Sequence, residues 1–218
     1  MLREDLHTKK AVVYVHGKGG SAEESAHYRA LFPEAGVLGL DYRARTPREA
    51  GHEIHGMIAA LHRETPDITL VANSVGAFFC LCAGLNDLVA RAYFISPIVD
   101  MERLIGDMLR WSNATEADLR ARGTLPTAFG ETLAWADLCY VRAHPVDWRV
   151  PTCVLYGSLD NLTTPETIRA FCAAHAARLT VIEGGEHWFH TEEQMRFLDD
   201  WIRESEADSG KTDMGGRT

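Results

Sequence analysis

Short β-branched runs recur along this chain, and each stops at a glycine, serine, asparagine or aspartate turn that leads into helical periodicity. Ala11-Val12-Val13-Tyr14-Val15 ends at His16-Gly17-Lys18-Gly19-Gly20, which reads as a buried strand entering a tight loop. Val37 to Tyr42, Ile68 to Ala72, Ala92 to Ile95, Cys153 to Tyr156 and Leu179 to Ile182 repeat the pattern. Between them lie predicted helices. Ser21 with Glu24 has capping-box spacing for a helix through Phe32. Pro47 suits the first position of a helix to Glu64, with Ile54, Ile58 and Leu61 on one stripe. The helix from Val75 to about Leu85 is apolar on every side, Thr164 or Pro165 starts another through His175, and a closing helix spans Thr191 to Ile202. Strands too short and too apolar to face water, alternating with helices, predict an α/β fold: a mostly parallel, doubly wound sheet of about six strands.

One stretch breaks the alternation. Residues 99–149 show helical but no strand periodicity, with Met101, Leu104, Ile105, Met108 and Leu109 on one stripe and Asn113 with Glu116 at capping spacing. They are expected to form an inserted helical lid within a single domain over residues 1–203. Residues 204–218 hold almost no large apolar side chains and are expected to form a disordered tail.

Composition narrows the function classes. The net charge of −9 argues against a nucleic-acid binder, and 46% hydrophobic residues supply a packed core. The longest apolar run, Val75 to Leu85, is far short of the ~20 residues that span a bilayer. The first residues carry both charge signs and no signal-type apolar segment. Cys80, Cys82, Cys139, Cys153 and Cys172 are odd in number, scattered and mostly set among apolar neighbours, as expected of packing residues in a reducing, cytoplasmic compartment. No nucleic-acid or membrane partner is expected, and the charge says nothing of oligomeric state.

In open α/β sheets the reactive groups stand beyond the carboxyl ends of the strands. The third strand runs into Ala72-Asn73-Ser74-Val75-Gly76, where small residues flank a serine on a sharp strand-to-helix turn. Such a turn exposes the Ser74 hydroxyl and aims the Val75 N–H at charge developing beside it. The fifth strand leads to Gly157-Ser158-Leu159-Asp160 and the sixth to Gly184-Gly185-Glu186-His187. A serine hydroxyl becomes a nucleophile when an imidazole accepts its proton and an acid orients that imidazole, so these three strand ends together suggest Ser74, His187 and Asp160.

With these motifs the sequence resembles the α/β-hydrolase superfamily over about residues 11–202. Ala72 to Gly76 corresponds to its nucleophile elbow, Gly157 to Asp160 to its acid turn, Gly184 to His187 to its histidine loop, and His16 to Gly20 to its oxyanion loop. Ala72 stands where the elbow has its first glycine, Pro165 follows Asp160 by five residues where four is commoner, and the family's leading strand pair is missing or reduced, so the fold is N-terminally trimmed. The resemblance implies a serine hydrolase of esterase type: Ser74 as nucleophile, His187 as base, Asp160 as acid, and an oxyanion hole from the Lys18 and Val75 N–H groups. It implies a small acyl substrate, an ester or else a thioester or amide, with no metal and no organic cofactor.

Other readings compete at each position. Ser74 also suits a helix cap and Asp160 a turn cap. Asp100 rivals Asp160 as the acid, His190 rivals His187, and His16 reads best as a loop brace. His52, His55 and His62 lie on one predicted helix without a zinc-type spacing, as a solvated face would. Trp111, Phe129, Trp135 and Tyr140 suit an acyl pocket or ordinary packing of the lid. Gly17, Gly19 and Ala22 after the first strand, with Asp41 after the second, match a dinucleotide fingerprint and make a Rossmann-type oxidoreductase the alternative enzyme. A hydrolase fold that binds without turnover is the alternative from another class.

Overall fold

A computed structural model describes residues 9–214, with side chains described to 208. Six strands form one sheet: β1 (Lys10–Val15), β2 (Gly36–Gly39), β3 (Asp67–Asn73), β4 (Arg91–Ile95), β7 (Thr152–Gly157) and β8 (Arg178–Ile182). Their order is β2-β1-β3-β4-β7-β8, and every neighbouring pair is parallel. The strand alternation thus folds as expected.

Period-2 patterning sorts the side chains to two cores. Val13, Val15, Leu70, Ala72, Phe94 and Val154 face one side, where α1 (Pro47–His62), α2 (Val75–Cys82) and α6 (Pro165–Ala174) pack. Val12, Tyr14, Val71, Tyr93 and Leu155 face the other, covered by a 3₁₀ helix (Ala22–Ala30) and by α7 (Glu192–Met214). Helices on both faces explain why these strands carry apolar residues at nearly every position. Among the described residues no helix is long and apolar enough to cross a membrane.

The stretch expected to form a lid comprises α3 (Met101–Trp111), α4 (Glu116–Arg122) and α5 (Trp135–Ala143), packed around Ile105, Leu119, Leu125, Leu133 and Leu138. Between α4 and α5 it holds a two-stranded antiparallel hairpin, β5 (Thr124–Pro126) and β6 (Thr132–Ala134), which helical periodicity does not predict. Three-residue strands are too short to show an alternation.

Three further expectations are corrected. The helix expected from Ser21 to Phe32 is a 3₁₀ helix: the Ser21 side chain makes no capping bond, and the Glu24 carboxylate accepts the Tyr14 hydroxyl at 2.6 Å. Helix α2 ends at Cys82, short of Leu85, as the chain passes through Gly84 at φ 63°. Residues 204–214 are not a disordered tail but continue α7. Glu206 accepts from Tyr93 Oη at 2.5 Å and pairs with Arg91, Ser205 is buried, and Asp208 pairs with Arg178. Composition misreads this segment because its anchors are polar. Residues 1–8, the place for any remnant of a leading strand pair, and residues 215–218 lie outside the described residues.

All five cysteines are free thiols. Burial pushes Cys82 up to about 12 and Cys172 to about 11, which suits inert packing groups, whereas Cys139 on α5 is exposed and is not the packing residue expected.

Candidate active site

The turn after β3 is built around one unfavourable residue. Ser74 has φ 53° and ψ −124°, outside the common regions for a side chain with a Cβ. Neighbouring backbone over-determines it: Ser74 N–H donates to Ile95 O at 3.0 Å, and Ser74 O accepts from Ile98 N–H at 3.1 Å. Gly76 lets α2 approach the first loop, since a Cβ there would lie 2.3 Å from His16 O. Strain held in place by packing is the usual mark of a functional turn. As an N-cap Ser74 does nothing, for its side chain makes no capping bond.

The hydroxyl engages a histidine instead. Ser74 Oγ lies 2.8 Å from His187 Nε2, and His187 Nδ1 lies 2.7 Å from Asp160 Oδ2. The Asp160 side chain is fully buried, whereas 16% of the His187 side chain is exposed. Asp160 divides its two oxygens: Oδ1 accepts the Leu162 and Thr163 N–H groups at 2.8 and 2.9 Å, leaving Oδ2 for the imidazole. The acid and histidine loops are tied directly, Leu159 N–H to Gly185 O at 2.8 Å and Gly184 N–H to Ser158 Oγ at 2.9 Å. Residues separated by 113 and 27 positions therefore form one hydrogen-bonded line.

The rivals are elsewhere engaged. Asp100 caps α3, accepting Arg103 N–H at 2.9 Å. His190 bonds Trp188 O and stacks on the Trp188 ring. His16 stacks on Tyr42, whose hydroxyl donates to His16 O at 2.7 Å, so it braces its loop. On α1, His55 and His62 bond the carbonyls of Ala83 and Leu88. No group of His, Cys, Asp and Glu with metal-binding geometry occurs among the described residues.

Gly17 packs against the elbow, for a Cβ at this position would fall 3.0 Å from Ser74 Cβ. Gly20 N–H closes a turn onto Gly17 O at 3.2 Å, which puts Lys18 and Gly19 at the tip of the loop beside Ser74. Val75 opens α2, where the first N–H groups of a helix have no partner within it. The Lys18 ammonium pairs with Glu131, joining this loop to the lid hairpin. The same loop fits a dinucleotide poorly. Gly17 is spent on Ser74, the following helix is 3₁₀, and the Asp41 carboxylate is 79% exposed.

A cavity of about 580 Å³ opens beside Ser74 and His187. Tyr14, Tyr28, Trp188 and Phe189 give it aromatic walls, Met195 and Leu198 of α7 an apolar side, and Glu24 a carboxylate. Burial pushes the Tyr14 and Tyr28 phenols above their ordinary range, so both stay protonated. Trp111, Phe129, Trp135 and Tyr140 do not line this cavity. Trp111 and Phe129 pack edge-on at 6.1 Å on the lid surface, Trp135 lies under Arg120, and Tyr140 stacks on His144. Tyr28, Trp188, Phe189, Met195 and Leu198 escape the sequence reading because they come from the 3₁₀ segment, the histidine loop and α7, which meet only in the fold. Glu24 does carry a signal, but its capping-box spacing points to the wrong partner.

No protein-family model matches the chain, and none of the curated proteins does. Solved structures do. Est1E from Butyrivibrio proteoclasticus superposes with a TM-score of 0.72 at 17% identity, covering 95% of this chain and 91% of its own. Alpha/beta hydrolase domain-containing protein 10 from mouse gives 0.68 at 12% identity, covering 91% and 90%. RedJ-Thioesterase of the prodiginine biosynthetic pathway in Streptomyces coelicolor gives 0.56 at 16%, covering 91% and 87%. With its parallel six-stranded sheet and its serine turn after β3, the chain has the α/β-hydrolase fold.

Proposed function

We propose that this protein is a serine hydrolase that cleaves a small carboxylic ester, or a thioester or amide, through an acyl-enzyme on Ser74. One observation carries the reading: the unbroken line from Ser74 Oγ through His187 to buried Asp160, at the wall of a cavity. In this mechanism neutral His187 takes the Ser74 proton at Nε2 as Oγ attacks the acyl carbon. Asp160 Oδ2 accepts Nδ1–H, fixes the tautomer and stabilises the imidazolium. The Val75 and Lys18 N–H groups receive the oxyanion, where losing one such donor costs about 2.7–4 kcal/mol of transition-state stabilisation. His187 then protonates the leaving group, and water deacylates Ser74 by the same route. The chemistry calls for no metal or organic cofactor. Five free thiols suit a reducing, cytoplasmic setting.

Est1E binds ferulic acid and RedJ is a thioesterase, so aryl esters and thioesters both belong in the substrate panel. The test is a p-nitrophenyl ester chain-length series together with a fluorophosphonate probe. Turnover and labelling of the wild type, both lost in Ser74→Ala, are expected. Equal labelling of the two proteins would remove Ser74 as nucleophile, and labelling without turnover of any ester would favour a binding role.

A further inference from the structure

The cavity beside Ser74 holds an uneven set of charges. Beside the protonated Tyr14 and Tyr28 phenols it has four ionisable side chains, three of them compensated: Lys18 by Glu131, His27 by Asp199 at 2.7 Å, and His187 by Asp160. The fourth is Glu24, and it forms no ion pair with any cation among the described residues. Its Oε2 accepts the Tyr14 hydroxyl at 2.6 Å, a bond that orients the carboxylate without neutralising it. The carboxylate lies over the loop that carries Lys18, close enough that a Cβ on Gly20 would fall 2.8 Å from Oε1. Glu24 is exposed, and the Tyr14 ring meets its carboxylate through the hydroxyl edge. Tyr14 and Tyr28 are 5.1 Å apart, and Trp188, 70% exposed, stands at the mouth.

A carboxylate without an ion-pair partner, in a cavity that also carries the exposed Trp188 ring, favours a positive group through charge and the ring quadrupole. An anionic acyl chain would meet repulsion there, and a purely aliphatic one would leave the carboxylate facing hydrocarbon. We infer that the cavity beside Ser74 selects esters carrying an alkylammonium group, with Glu24 as the specificity-determining residue. The inference rests on the hydrolase reading above and deepens it to a substrate class.

Charge-for-carbon isosteres test it in two pairs. One puts the charge on the acyl side: p-nitrophenyl 4-(trimethylammonio)butanoate against p-nitrophenyl 5,5-dimethylhexanoate. The other puts it on the leaving side: S-[2-(trimethylammonio)ethyl] thiobutyrate against S-(3,3-dimethylbutyl) thiobutyrate. The readout is the ratio of kcat/KM, cationic over neutral, within each pair. In at least one pair the wild type should favour the cation about tenfold, a size in keeping with a partly hydrated cation–π and ion-pair site. Glu24→Gln, which keeps an acceptor for Tyr14, should cut that ratio about fivefold, and added KCl should lower it in the wild type. Ratios near one in both wild-type pairs, or a preference that Glu24→Gln leaves unchanged, overturn the inference while the hydrolase reading stands. No turnover of any of the four esters by an enzyme active on the p-nitrophenyl series also overturns the inference, whereas inactivity on both sets removes the hydrolase reading itself.

Discussion

The two flanks of Ser74 are built by different means. On one flank, Asp160 and His187 sit on loops tied to each other by backbone hydrogen bonds, and the acid is sealed from solvent. On the other, the loop carrying Lys18 reaches the lid hairpin through one ion pair whose side chains are 59% and 32% exposed. The first arrangement holds Asp160, His187 and Ser74 in one hydrogen-bonded line. The second is a tie between largely solvated side chains. The exposed part of this flank is the Lys18–Glu131 side-chain pair, so changes to that pair should cost far less than changes at buried Asp160.

The largest effect is expected on the tied flank. Asp160→Asn should lower kcat by about 10⁴. Its amide oxygen would stay with the Leu162 and Thr163 N–H groups, turning the NH₂ towards Nδ1 and forcing the tautomer whose Nε2 cannot accept the serine proton. Asp100→Asn, at a cap where asparagine serves as well, should leave kcat within about twofold. Comparable losses in the two variants would break the assignment. A second effect should come from removing the imidazole: His187→Ala should lower kcat comparably, and a kcat that survives it would speak against His187 as the base.

Stability supplies a third contrast. Burial, the first cause in each case, holds the Tyr14, Tyr28 and Tyr93 phenols above their ordinary value. The folded state keeps protons that the unfolded chain releases above about pH 10, so this stabilisation is full below that pH and declines above it. Urea midpoints measured from pH 9 to 11 should drop, and a flat series would contradict the burial of these rings. The smallest effect belongs to the open flank. Glu131→Gln removes a mostly solvated pair worth less than about 1 kcal/mol, so kcat/KM should change less than about threefold, and high salt should reproduce the change. A loss of a hundredfold would make the lid hairpin part of the rigid machinery.

Legibility in the sequence follows the same division. Strands β1, β3, β4 and β7 are readable because continuous apolar runs leave no other means of burial, and Ser74, Asp160 and His187 are readable because they follow such strands. The hairpin between α4 and α5 is not, since three residues carry no period. Glu24 is misassigned because two acceptor roles share one spacing and only the fold brings Tyr14 within reach. The end of α7 escapes because hydropathy cannot register Glu206, whose value lies in meeting Tyr93 and Arg91.

Helix α7 also joins two places that chemistry keeps apart. Met195 and Leu198 shape one side of the cavity, while Glu206, eleven residues beyond Met195 and about 16 Å along the axis, is pinned at the start of β4. A helix is stiff over that length, so the pin acts as the far support of a beam. The width of the cavity is therefore set partly near the amino-terminal end of central strand β4, where exchanges at Arg91, Tyr93 or Glu206 can retune it without touching Ser74 or His187.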